Sequence, residues 1–223
     1  MLAALVAFHE NRASASPSKR TRMQTTTAPN RTAASAVEAY IRGKDGNRPH
    51  LLRAAFTDDA QLTMRVRTAG ISFPPGATGR DAIANLLASR FNQAWENVYM
   101  LCMCKPPAPG ATSLSCGWLV AMSAKSDSSV RAGCGRYDWS FQADTGLARS
   151  LVITIDAMEV LDTGFQEVGE WVSRLPYPWC DPRRLASGAP QQPTLRAVLA
   201  RLSPPIPAGE DPPGGDPRST AVD

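Results

Sequence analysis

The chain is short of histidine: His9 and His50 are the two in 223 residues. His9 falls in a stretch without apolar periodicity. His50 follows Pro49 at the start of a short helix, where a solvated or capping role suits it. Histidine-dependent acid–base chemistry therefore has no carrier on a strand. No apolar run approaches the ~20 residues that span a bilayer, so no membrane partner is expected. An excess of positive charge is missing from the part expected to fold. Residues 1–31 carry Arg12, Lys19, Arg20, Arg22 and Arg31 against Glu10, which leaves nineteen residues of each sign in the remainder. A nucleic-acid binder carries its positive charge on the folded domain, so no nucleic acid is expected. Cysteine is sparse too, and odd in number: Cys102, Cys104, Cys116, Cys134 and Cys180. That suits small buried hydrophobes in a reducing, cytoplasmic compartment. Cys102-x-Cys104 lacks the two-residue spacer and the second pair of a zinc site, so neither metal nor cofactor is expected.

What is present is enough apolar sequence, 43% of the chain, for one sizeable core. Composition divides the chain into four parts. Residues 1–32 read as a disordered arm, with Met23 as an alternative start. An Ala-Ser-Ala at 13–15 leaves a signal peptide open, although no basic leader precedes the apolar residues 1–8. Residues 33–163 form the main domain and 164–202 a helical strap rich in proline and aromatics. Residues 203–223 are a disordered tail.

Within the main domain, Val37, Tyr40 and Ile41 mark one stripe of a helix that KDGNRP breaks, and Leu51, Leu52, Ala55 and Phe56 mark a second. Thr57–Ala60 reads as a turn, with Asp58 and Asp59 as turn or capping residues. Gln61–Thr68 alternates as a half-buried strand. Ile83, Leu86, Leu87 and Phe91 give an amphipathic helix over Ala82–Ala94, capped by Asp81. Asn97–Lys105 is a strand. Then come three long apolar runs, Ser113–Lys125, Val130–Gln142 and Ala148–Leu161, separated by KSDSS and ADTG. Links so short join antiparallel neighbours, so the middle of the chain is a meander. Trp118, in phase with Leu114, Cys116, Val120 and Met122, reads as core. Helices are expected at Phe165–Leu175 and Thr194–Leu202, with LPYPWCDP lying across the surface.

The order of these pieces resembles the SnoaL-like branch of the nuclear transport factor 2-like superfamily, over roughly Ala36 to Leu161. The residues that carry the likeness are Tyr40-Ile41-Arg42-Gly43-Lys44-Asp45-Gly46, then Leu51 to Ala60 with its Phe-Thr-Asp-Asp-Ala. Gly79-Arg80-Asp81-Ala82-Ile83 follows, and then Gly135-Arg136-Tyr137 with Asp144-Thr145-Gly146. The resemblance implies an α+β cone, of the kind found in ketosteroid isomerase and scytalone dehydratase. A strongly curved, mixed or antiparallel sheet wraps three N-terminal helices around an apolar pocket. It also implies a homodimer paired through the convex face.

Asp138 and Asp156 are the carboxylates embedded in apolar strands, and each is a candidate base. Tyr137, Trp139 and Phe141 share one face of their strand; Cys134, Arg136 and Asp138 share the other. If the aromatic set faces the helices, Arg136 and Asp138 face outward as an ion pair. The resemblance places Tyr40 among pocket residues, where its hydroxyl would donate to a carbonyl or enolate oxygen. The function expected is a pocket for a small, largely apolar, carbonyl-bearing molecule. Tyr40 with Asp138 or Asp156 would serve an isomerase, cyclase or dehydratase; the alternative is a non-catalytic binding or interaction module.

Overall fold

The computed structural model describes residues 31–202. The expectations for the arm, His9, Met23 and the tail from Ser203 onward lie outside the described residues.

Helix α1 (Ala33–Asp45) begins at a capping box in which the Thr32 and Ser35 side chains each accept the other's backbone N–H. A 3₁₀ turn (Pro49–Ala54) leads into β1 (Phe56–Val66). Here the sequence reading needs correction: Thr57–Ala60 is not a turn but part of β1. The register of β1 on its neighbour slips between Phe56 and Gln61, so the two aspartates sit on an irregular strand segment. Asp58 forms an ion pair with Arg80. After β2 (Gly76–Thr78) the helical stretch runs as α2 (Arg80–Ala84), a π-helical turn (Asn85–Arg90) and α3 (Phe91–Ala94). Its cap position is Gly79, and Asp81 lies in the first turn without a capping hydrogen bond.

β3 (Trp95–Cys102), β4 (Ser113–Ala124), β5 (Val130–Phe141) and β6 (Ala148–Leu161) complete the sheet, in the order β2-β1-β6-β5-β4-β3. The meander is antiparallel as expected, and β1 joins it parallel to β6. A six-stranded mixed sheet carrying helices is the expected α+β class. Opposite Cys134 and Gly135, β6 holds one extra residue, Asp156, in a bulge.

The inner face of the sheet packs against α1 and the α2–α3 stretch through Tyr40, Phe56, Trp118, Tyr137 and Trp139. The outer face is covered as well. Leu101, Leu119, Ala132, Cys134 and Ala157 lie under Val168 and Trp171 of α4 (Phe165–Val172) and Leu195 and Val198 of α5 (Pro193–Ala200). This is why Trp118–Ala124 is buried continuously rather than alternately. Pairing of two chains through the outer face, as the resemblance implied, would require this layer to leave.

Between those helices the strap crosses the edge of β3. The Cys102 N–H donates to the Pro178 carbonyl at 2.6 Å, and Cys180 N–H donates to the Cys102 carbonyl at 2.8 Å, so the free edge is paired at its Cys102 end. Trp179 Nε1 donates to Glu38 of α1 at 3.0 Å. No helix among the described residues is long and apolar enough to cross a membrane.

Candidate functional site

A cavity lies between the inner face of the sheet and the helices, walled by α1, the π turn and the loop before β2. Tyr40 reaches it from α1. One helical turn further on, Lys44 reaches it too, because residues four apart share a helix face. Tyr137 enters from β5 and Trp118 from β4; Phe73 and Phe91, stacked at 6.3 Å, close one side. The cavity is narrow. Its interior volume is about 30 Å³. That is room for roughly two waters. Anything larger needs side chains to move, and four of the wall residues, Met64, Met100, Met122 and Met158, are the flexible kind that can.

The wall is apolar with four exceptions, and each of the four carries a hydrogen-bond donor, the two phenolic oxygens being able to accept as well. The Tyr40 and Tyr137 hydroxyls lie 3.4 Å apart and are fully buried. One bond between them uses one phenolic proton and leaves the other without an acceptor among the described residues. Burial pushes both phenols above their ordinary range, so they stay protonated. The buried indole N–H of Trp118 has no hydrogen-bond partner among the described residues. Lys44 Nζ sits 4.1 Å from the centre of the Phe91 ring and 3.5 Å from Asp45 Oδ1, its one hydrogen-bond acceptor among the described residues.

Asp45 stands just behind this wall. Its Oδ2 accepts the Met100 N–H at 2.8 Å and the Tyr177 hydroxyl at 3.1 Å, tying α1 to β3 and to the strap. The side chains of Lys44 and Asp45 are only 5% and 7% exposed. Desolvation lowers the Lys44 ammonium from its ordinary range and raises the Asp45 carboxyl, each opposed in part by the other's charge. Asn92 holds the pair in place: its amide donates to the Lys44 carbonyl at 2.7 Å and the Ala88 carbonyl at 2.9 Å.

Of the three candidate site residues named from sequence, Tyr40, Asp138 and Asp156, Tyr40 alone lines the cavity. Asp138 does not. Its strand parity puts Tyr137 and Trp139 inside and turns Asp138 to the outer face. There it accepts from Ser115 Oγ at 2.7 Å and Arg136 Nε at 3.0 Å. Asp156 sits in the bulge, 3.2 Å from Arg67, also away from the cavity. Both are about one-third exposed and paired with arginines more than half exposed. The role of base assigned to either has no geometric support. Asp138→Asn and Asp156→Asn are each expected to cost no more than about 1 kcal/mol in urea unfolding, as exposed ion pairs do, with ligand binding unchanged.

Sequence reasoning missed Lys44, although a signal was there. The apolar stripe at 37, 40 and 41 continues to position 44, and a lysine occupies it. Neighbouring thiols and burial push Cys104 and Cys116 well above the usual range, and burial takes Cys134 to about 11, so these three are poor nucleophiles.

No family model and no curated protein matches the chain. Solved structures do. One is a hypothetical protein with ketosteroid isomerase-like fold from Catenulispora acidiphila, in complex with trimethylamine. It is 17% identical with a TM-score of 0.43, over 53% of this chain and 82% of that one. An NTF2-like protein from Burkholderia thailandensis is 13% identical with a TM-score of 0.45, over 56% and 92%. A Mycobacterium tuberculosis protein in complex with estradiol-17beta-hemisuccinate is 11% identical with a TM-score of 0.44, over 54% and 91%. The likeness is one of fold.

Proposed function

We propose that the protein binds a small, largely apolar molecule carrying an acceptor oxygen, a carbonyl or a carboxylate, in the cavity beside Tyr40, Lys44, Trp118 and Tyr137. One observation carries this reading: every polar group of an otherwise apolar wall carries a donor, and the described residues supply too few acceptors for them. A buried donor without a partner costs about 1–3 kcal/mol, and a ligand oxygen placed among them recovers that cost. Such pockets combine apolar lining with a few convergent polar groups that fix orientation. The outward placement of Asp138 and Asp156 favours binding over proton transfer by either of them.

Thermal shifts against ketosteroids, polyketide-like aromatics, epoxides and hydroxy acids test the proposal. A compound at 100 times its dissociation constant should add about 2.7 kcal/mol. The shift should shrink in Tyr40→Phe and Tyr137→Phe and persist in Asp138→Asn and Asp156→Asn. A folded protein that responds to no compound would overturn the reading in favour of an interaction module.

A further inference from the structure

We propose that Lys44 is a nucleophile, whose ε-amine condenses with the carbonyl carbon of an aldehyde or ketone held in the cavity to form an imine. This rests on the cavity being a ligand site and names the ligand class more narrowly.

Placement comes first. Lys44 extends from the last turn of α1 into an apolar wall, where its side chain is 5% exposed. An ammonium there has three protons and one hydrogen-bond acceptor among the described residues, Asp45 Oδ1 at 3.5 Å. The Phe91 ring at 4.1 Å and Asp45 favour the ammonium, but it has more protons than they can receive, whereas the uncharged amine needs fewer acceptors and offers a lone pair to the cavity. Burial favours that uncharged form, as the lowered Lys44 ionisation indicates. An amine desolvated in an apolar pocket is one of the ways proteins activate lysine toward carbonyls.

The neighbours fit the remaining steps. The spare proton of the Tyr40–Tyr137 pair can donate to the carbonyl oxygen while the Lys44 nitrogen forms the C–N bond. The carbonyl π pair moves to oxygen, which takes up the proton released by nitrogen, giving a carbinolamine. Asp45, whose carboxyl burial biases toward the protonated state, can then protonate that hydroxyl. The C–O bond breaks, water leaves, and nitrogen returns its remaining proton to Asp45. The sum is amine plus carbonyl giving imine plus water, with nothing oxidised or reduced. Tyr177 bonds Asp45 at 3.1 Å and is itself 40% exposed, which links this proton to the surface.

The chain has four lysines, at 19, 44, 105 and 125, so labelling is readily mapped. The full-length protein is incubated with cyclohexanone or benzaldehyde at neutral pH. Borohydride then reduces any imine to a stable secondary amine, and the peptides are weighed. The expected result is a mass gain equal to the carbonyl compound less its oxygen, on Lys44. Labelling there should exceed that at Lys105 and Lys125 by about tenfold or more. It should be lost in Lys44→Arg and in Lys44→Met. Because the map is made on the unsubstituted protein, the result does not depend on either variant folding. Labelling spread evenly over the lysines overturns the proposal. So does a thermal shift with these probes but no Lys44 adduct, an outcome that leaves the binding site itself standing. Neither shift nor adduct, with these probes and with the wider compound set, overturns both.

Discussion

Asp45→Ala should cost the fold about 3–5 kcal/mol, because it takes the acceptor from three donors at once, each worth about 1–3 kcal/mol when left unpaired in a buried site. Against a total stability of about 5–15 kcal/mol this is a large fraction. Three groups lose their partner together: the Lys44 amine at 3.5 Å, the Met100 N–H at 2.8 Å and the Tyr177 hydroxyl at 3.1 Å. The double change Lys44→Met/Asp45→Asn should stay within about 1 kcal/mol of the unsubstituted chain, because Asn keeps an acceptor for Met100 and Tyr177 while the charge problem disappears. Urea unfolding of the two variants decides the matter; a loss below about 1 kcal/mol for Asp45→Ala would contradict the pair's place in the structure.

The same pair sets a pH dependence. Asp45 has its folded ionisation raised above 3.8, so the folded state holds the proton longer and stability falls as pH rises from 3.8 to that raised point. Lys44 has its folded ionisation lowered below 10.5, so the unfolded state holds the proton longer and stability rises with pH from that lowered point to 10.5. Both slopes should flatten in the double variant.

Trp118→Ala is the second large effect. Trp118 is 2% exposed and tilts against the Tyr137 ring at 5.8 Å between centres. Its loss should cost about 3–5 kcal/mol, since an aromatic removed from a packed core leaves a cavity the surroundings fill only in part. Gly135 sits opposite it, and a Cβ there would meet the Thr154 carbonyl oxygen at 1.9 Å and the Trp118 ring at 2.8 Å. The close backbone approach holds the local geometry, so collapse into the space left by Trp118 should be limited. Added indole should therefore restore part of the loss, as any ligand specific to the folded state does. Full stability without indole, or a loss that indole leaves unchanged, would show that the site collapses and that Trp118 is not a fixed wall of the cavity.

Strand identity and parity were legible because period-two alternation is a local signal. Parity put Tyr137, Trp139 and Phe141 on one face and Asp138 on the other, but which face turns inward was left open, and the packing of the helices on the aromatic set decides it. The irregular start of β1 was not legible, since Thr-Asp-Asp-Ala has the composition of a turn, and only the pairing on either side of it, at Phe56 and from Gln61 onward, carries the strand through. The layer on the outer face was also hidden. Small apolar residues such as Ala132, Cys134 and Ala157 look the same whether a chain's own helices or a partner covers them. The site was half legible. Tyr40 was found, but Lys44 was passed over because a charged residue on an apolar stripe reads locally as its end. Only the placement of Asn92 and Phe91 around it, from a distant part of the chain, shows that it is buried.

The central claim is that the cavity selects an acceptor oxygen. The measurement that tests it most directly is a calorimetric comparison of matched ligands, a small cyclic ketone and the same ring with a methylene in place of the carbonyl. The account predicts that the ketone binds more tightly by roughly tenfold or more, because only it satisfies the waiting donors, and that Tyr40→Phe with Tyr137→Phe narrows the gap. Equal affinity for the two rings would contradict it, and would leave an apolar hole with no chemistry of its own.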